Sequence, residues 1–228
     1  SLENTCNRGG GSCYDLAEIA KIRSLCDAHG LGLHLDGARL MNAIVAKQED
    51  PKAYGKLFHS ISLCLSKGLG APVGSVLLGD ASFIKQARRV RKVMGGGMRQ
   101  AGYLAAAGLY AMEHNINRLA EDHVHAKQLA AVLSECNWVG EIYPVETNIV
   151  IFEVMAGNRV ADAGSVSGVK SIAGGTGSGF KTAQEVITAL LSHNIRVSGM
   201  SPTHIRMVTH LDVTPEMIIR TIQVIKQL

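Results

Sequence analysis

Aromatic residues are scarce in this 228-residue chain: they make up 4% of it, with a single tryptophan. So few rings make it hard to assemble the stacking platforms that single-stranded nucleic acids need. Long apolar runs are missing too, although 46% of the residues are hydrophobic, and no stretch is long enough to span a bilayer as a helix. The five cysteines, Cys6, Cys13, Cys26, Cys64 and Cys136, show no C-x-x-C spacing and are odd in number. They read as reduced thiols of a cytoplasmic protein, with neither a disulfide framework nor a zinc site. No strong charge of one sign is present: 23 Lys and Arg against 19 Asp and Glu give +4, and much of the excess could come from "KQARRVRK" (85–92). Such a local excess points to a small bound anion rather than to nucleic acid or a membrane.

What is there alternates between two periods. "YDLAEIAKIRSLCDAHG" (14–30) carries a helical stripe that ends on Gly30, and "LGLHLD" (31–36) reads as a short buried strand. A helix over about 37–48, a loop through Pro51, strands at 60–66 and 73–79 and a basic helix at 81–93 follow. This rhythm predicts an α/β domain with a largely parallel sheet, short of strands unless upstream sequence completes it. Two helical stretches run from about 99 to 113 and from 115 to 135. The last third reads as a small α+β domain, with a strand at 147–154, a helix at 182–194 opened by a Thr182/Glu185 capping box, a strand at 204–209 and a closing helix at 214–228. The boundary falls near residue 115, so that 1–115 and 116–228 are the two domains, and 156–180, rich in small residues, reads as an inserted loop. The chain begins at Ser1 inside sequence that already looks structured, as a fragment or a processed protein would.

Lys67 is the sharpest chemical feature. It ends the apolar run "SLCLSKGLGAPVGS" (62–75) and sits in the turn outside a parallel sheet, where open α/β sheets bind their ligands. Partial burial there would disfavour the ammonium form and make the amine a nucleophile toward a carbonyl. Gly68 and Gly70 would let the backbone approach a cofactor closely. The blander alternative is a lysine that reaches out of a strand end into water. One strand earlier, "HLDGARL" (34–40) brings Asp36 and Arg39 to the corresponding strand terminus, although an aspartate so placed also serves as a helix N-cap. An imine-forming lysine together with an acid that keeps a pyridine nitrogen protonated is what a pyridoxal phosphate enzyme needs.

"HLDGARL", "SLCLSKGLGAPVGS", "RKVMGGGMRQAG", "ETNIVIF" and "IRMVTHLDV" closely resemble the low-specificity L-threonine aldolases, over nearly all of 1–155 and 182–228. The resemblance implies a partial large domain of the pyridoxal-phosphate-dependent transferase fold (fold type I, aspartate-aminotransferase-like) with a small C-terminal α+β domain. It implies pyridoxal 5'-phosphate as cofactor, Lys67 as the lysine that carries it, Asp36 as the acid at its ring nitrogen and Arg39 beside the cofactor and the substrate carboxylate. Arg206 matches the arginine that grips that carboxylate, and Lys92 and Arg99 match basic residues at the cofactor pocket that are contributed in part across a subunit interface. The implied reaction is retro-aldol cleavage of threonine or allo-threonine to glycine and an aldehyde, by a homo-oligomer, a dimer or a tetramer built from two dimers. The residues that cup the phosphate and stack on the ring are expected upstream of "ENT" (3–5), and the family commonly has histidine where Cys6 stands. Another β-eliminating lyase on this scaffold and a catalytically incomplete fragment are the competing readings. Weaker signals are "GGTGSGFKT" (174–182), which misses a phosphate loop because Phe180 follows Gly179, and "HVH" (123–125), which a helix would splay apart. Cys64 reads as core rather than as a nucleophile.

Overall fold

In the computed structural model, which describes residues 1–155 and 182–228, the N-terminal elements are β1 (Leu2–Glu3), α1 (Leu16–Ala28), β2 (His34–Gly37), α2 (Leu40–Lys47), α3 (Pro51–Leu57), β3 (Ser60–Cys64) and β4 (Ser75–Gly79). Asp15 opens α1 by accepting the Ala17 N–H. Gly30, at φ +64°, closes it: the Gly30 and Leu31 amides return to the carbonyls of Asp27 and Cys26, as in a Schellman turn. The four strands form one sheet in sequence order, parallel from β1 to β3, with β4 antiparallel to β3. The 65–74 connection is too short for a parallel crossover, which takes about a dozen or more residues. Along β2 and β3 burial alternates, with Leu35, Ile61 and Leu63 packed on Ile19, Leu40, Ile44, Tyr54 and Phe58. His34, Asp36, Ser60, Ser62 and Cys64 share the other, more open face.

Pro51 opens a helix instead of crossing a loop: Asp50 accepts the Lys52 N–H and Pro51 occupies the first turn of α3, where its missing N–H costs nothing. Next come α4 (Ala81–Val93), capped by Asp80 and with no buried residue, α5 (Gly102–His114) and α6 (Leu119–Ser134). A second, wholly antiparallel sheet contains β5 (Val139–Ile142), β6 (Ile149–Val154), β7 (Ser198–Gly199) and β8 (His204–Val208) in the order β5-β6-β8-β7. The helices α6, α7 (Ala183–Ser192) and α8 (Pro215–Ile225) pack on it through a core that includes Leu133, Phe152, Leu190, Ile205 and Ile225. The Thr182/Glu185 capping box and the Thr214 N-cap with Pro215 are both formed. The segment 156–180, and 174–182 except Thr182, lie outside the described residues.

Candidate active site

After β3 the chain makes a tight turn that presents Lys67. The Gly70 N–H donates to the Lys67 carbonyl (2.9 Å) and the Ala71 N–H to that of Leu65 (2.9 Å). Leu69 and Ala71 are buried against Ala111 and Leu119, and Asn115 Nδ2 donates to the Leu69 carbonyl (2.7 Å). With these residues facing inward, Lys67 lies on the outside of the turn and is exposed, not partly buried as its place after an apolar run suggests. The glycines also answer to packing. Gly70 holds φ +74°, and a Cβ there would stand 2.7 Å from Leu211 Cδ2; at Gly68 it would stand 2.9 Å from Leu119 Cδ2.

Arg39 and Arg206 converge although 167 positions separate them in the chain. Asn7 Oδ1 accepts from Arg206 Nη1 (2.8 Å) and from Arg39 Nη1 (3.3 Å). The Asn7 N–H donates in turn to Glu3 Oε2 (3.3 Å). Burial, and after it the neighbouring charge of Arg206, lower the Arg39 pKa from its usual value, with Glu3 opposing. Arg206 Nε is buried without a partner, and among the described residues neither guanidinium has a carboxylate within ion-pair distance. Two half-buried cations on one neutral oxygen make a receptor for an anion.

A cavity of about 350 Å³ brings Lys67 and Arg39 together, with Ser66, Asn148, His210 and Asp212 also on its walls. Asp36 is exposed on the open sheet face, in register with Ser62, and its Oδ1 accepts the Ala38 N–H (3.1 Å). That hydrogen bond steadies the turn into α2, whose N-cap is Arg39 rather than Asp36. Lys92, on α4, and Arg99 are exposed and do not line the Lys67 cavity of this chain. Cys64 is half-buried on the polar face, 3.6 Å from Ser66 Oγ, and so differs from a core residue. A larger hollow of about 430 Å³ opens elsewhere, between Arg23, His59 and Asp80. Its Arg23 and His59 are already matched by Asp27, so the Lys67 cavity with its unpaired arginine is the better candidate.

Asn7, Asn148 and His210 are site residues that the sequence analysis does not single out. Asn7 lies two residues past "ENT" (3–5), outside that motif. Asn148 and His210 fall inside the quoted blocks "ETNIVIF" and "IRMVTHLDV". Asn148 Nδ2 donates to the Thr209 carbonyl (2.8 Å), while its buried Oδ1 has no partner among the described residues.

Comparison with known proteins places these residues in context. The chain is 44% identical over 160 residues to low-specificity L-threonine aldolase 1 of Arabidopsis thaliana, an alignment covering 70% of this chain and 45% of that protein. It is 38% identical over 216 residues to the low specificity L-threonine aldolase of Escherichia coli K12, covering 95% and 56%. The chain thus spans about half the length of the curated relatives it matches. The fold is that of the Leishmania major threonine aldolase, with a TM-score of 0.71 at 19% identity over 100% of this chain and 60% of that one. The Lys67 turn, Asp36, Arg39 and Asn7 all fall within residues 1–157, which match the family model described as beta-eliminating lyase, and the chain belongs to that family.

Proposed function

We propose that this protein cleaves L-threonine and related β-hydroxy amino acids to glycine and an aldehyde, using pyridoxal 5'-phosphate. The observation that carries this reading is the convergence of Lys67 and Arg39 on one cavity, with Arg206 joined to Arg39 through Asn7. The identity to threonine aldolases supports the choice of substrate.

The donor set fits the reactive end of the cofactor. Lys67 offers an exposed primary amine in a cavity roomy enough for a small ligand, Asp36 offers a carboxylate on an open sheet face, and Arg39 offers a guanidinium with no carboxylate partner. Lys67 would hold the aldehyde carbon of the cofactor, Asp36 the proton of its ring nitrogen, and Arg39 and Arg206 the substrate carboxylate. When bound, the protonated ring of pyridoxal phosphate accepts the electron pair that Cα keeps as the Cα–Cβ bond breaks. The β-hydroxyl loses its proton as the aldehyde forms, and a proton returns to Cα to give glycine. By gripping the carboxylate, the two arginines would hold the amino acid in the cavity, a contribution to binding.

The same reading makes the protein a cytoplasmic homo-oligomer. An odd number of cysteines without C-x-x-C spacing fits a reducing compartment. Exposed Val93, Met94, Met98, Tyr103 and Tyr110, around Lys92 and Arg99, support a subunit contact there.

The test is the absorbance of the purified full-length protein with and without pyridoxal 5'-phosphate, together with acetaldehyde release from L-threonine. A cofactor band that changes on adding glycine, with acetaldehyde produced and both lost in Lys67→Ala, is the expected result. Absence of the band, or ammonia and an oxo acid in place of glycine, would overturn it.

A further inference from the structure

We infer that Asn7 is a positioning residue that joins Arg39 and Arg206 into a single carboxylate receptor, and that its neutrality is what leaves the receptor open to substrate. The inference rests on the reading that an amino acid is the substrate.

The joined groups come from three separate places: the segment after β1, the N-cap of α2, and β8. Without a shared acceptor, two half-buried guanidiniums would repel each other and turn apart. An amide oxygen has two lone pairs and accepts one N–H from each, which is the arrangement found. A carboxylate at this position would satisfy the same donors, but it would neutralise the pair from within and compete with any incoming anion. Asn7 is itself held through its backbone N–H by Glu3. Glu3 pairs across the parallel ladder with Asp36, so the clamp is registered to the strand that carries the candidate ring partner. Arg206 Nε, buried and without a partner among the described residues, is donor capacity that those residues do not use.

The experiment is calorimetric titration of glycine, and separately of glycinamide, into cofactor-loaded full-length wild type, Asn7→Ala and Asn7→Asp, with threonine cleavage kinetics alongside. Asn7→Ala should weaken glycine about tenfold, the scale of one hydrogen bond to a charged group. It should raise KM by a similar factor while kcat moves less than about twofold. Asn7→Asp, which keeps the shape and the acceptor, should be worse, on the order of a hundredfold for glycine, because it supplies the competing charge. Glycinamide, which lacks the carboxylate, should bind all three proteins alike.

A purely structural acceptor role predicts the opposite order, with Asn7→Asp restoring wild-type affinity, and that result would overturn the inference. So would equal losses for glycine and glycinamide, or an Asn7→Ala protein that binds glycine as wild type does. Should wild type bind glycine through the clamp yet release no acetaldehyde, the proposed reaction falls and the clamp stands. Acetaldehyde release unaffected by both Asn7 variants sinks the clamp alone, and failure of wild type to bind glycine overturns both.

Discussion

Acid should weaken this protein through one buried side chain beneath the candidate site. His123, on α6, is 6% exposed, and its Nε2 lies 3.0 Å from Asn42 Oδ1. Asn42 is one turn into α2, its N–H bonded to the Arg39 carbonyl, and its side chain lies under Gly68. The His123–Asn42 contact therefore braces the arginine and the Lys67 turn together. Burial, helped by Lys127, lowers the His123 pKa from 6.5 to about 4, so the folded state holds the ring neutral. The unfolded chain binds a proton near pH 6.5 that the folded chain refuses until about pH 4. The stabilisation is complete above pH 6.5 and is lost as pH falls through that window. A shift of this size corresponds to about 3 kcal/mol in total, of which about 2 kcal/mol is gone by pH 4.5. His123→Gln can keep a donor to Asn42 without titrating. Urea unfolding at pH 7 and pH 4.5 should show wild type losing about 2 kcal/mol more than the variant between the two. Parallel losses in the two proteins would refute the argument, because the acid sensitivity would then belong to other groups.

Other consequences follow from single contacts. Gly70→Ala forces a Cβ into the left-handed region against Leu211, so it should cost about 1–2 kcal/mol in urea unfolding, and a loss below about 0.5 kcal/mol would contradict the argument. Arg118 pairs with the fully buried Asp122 at 2.6 Å, and Arg118→Ala should cost roughly 3–5 kcal/mol at pH 7. Because burial already raises the Asp122 pKa, losing the arginine raises it further. The deficit should therefore shrink as pH falls and the carboxyl is protonated, whereas a deficit constant with pH would contradict the charge argument. Burial pushes the Cys13 thiol up to about 12 and that of Cys136 to about 11, so mass spectrometry after iodoacetamide at pH 8 should find both unmodified in native protein.

The elements that were legible in the sequence are those whose ends carry their own chemistry. Thr182 with Glu185 and Thr214 with Pro215 mark α7 and α8 because the capping groups are adjacent in the chain. The Asp50–Pro51 pair carries the same signal for α3, but proline is equally at home in loops, which makes the signal ambiguous. The two-residue strands β1 and β7 have too few side chains to show a period, and they exist only as neighbours of β2 and β8. The direction of β4 was recoverable from the length of the 65–74 turn alone, since no crossover fits there.

The site divides along the same line. Lys67 and Arg39 each follow a strand by a short turn, so a local pattern finds them, and the fold then delivers both to one cavity. Their burial is not local: Leu65, Leu69 and Ala71 take the inward positions of the turn, which leaves Lys67 to the solvent side. Asn7 lies further from any local signal. Its partners are 32 and 199 positions away, and its work is to reconcile two like charges that a sequence shows only as separate arginines. A neutral residue acquires such a role only once the chain has closed around it. The polar residue between two converging cations is therefore a better guide to the anion site of this chain than cations alone, which also occur on exposed helix faces such as α4.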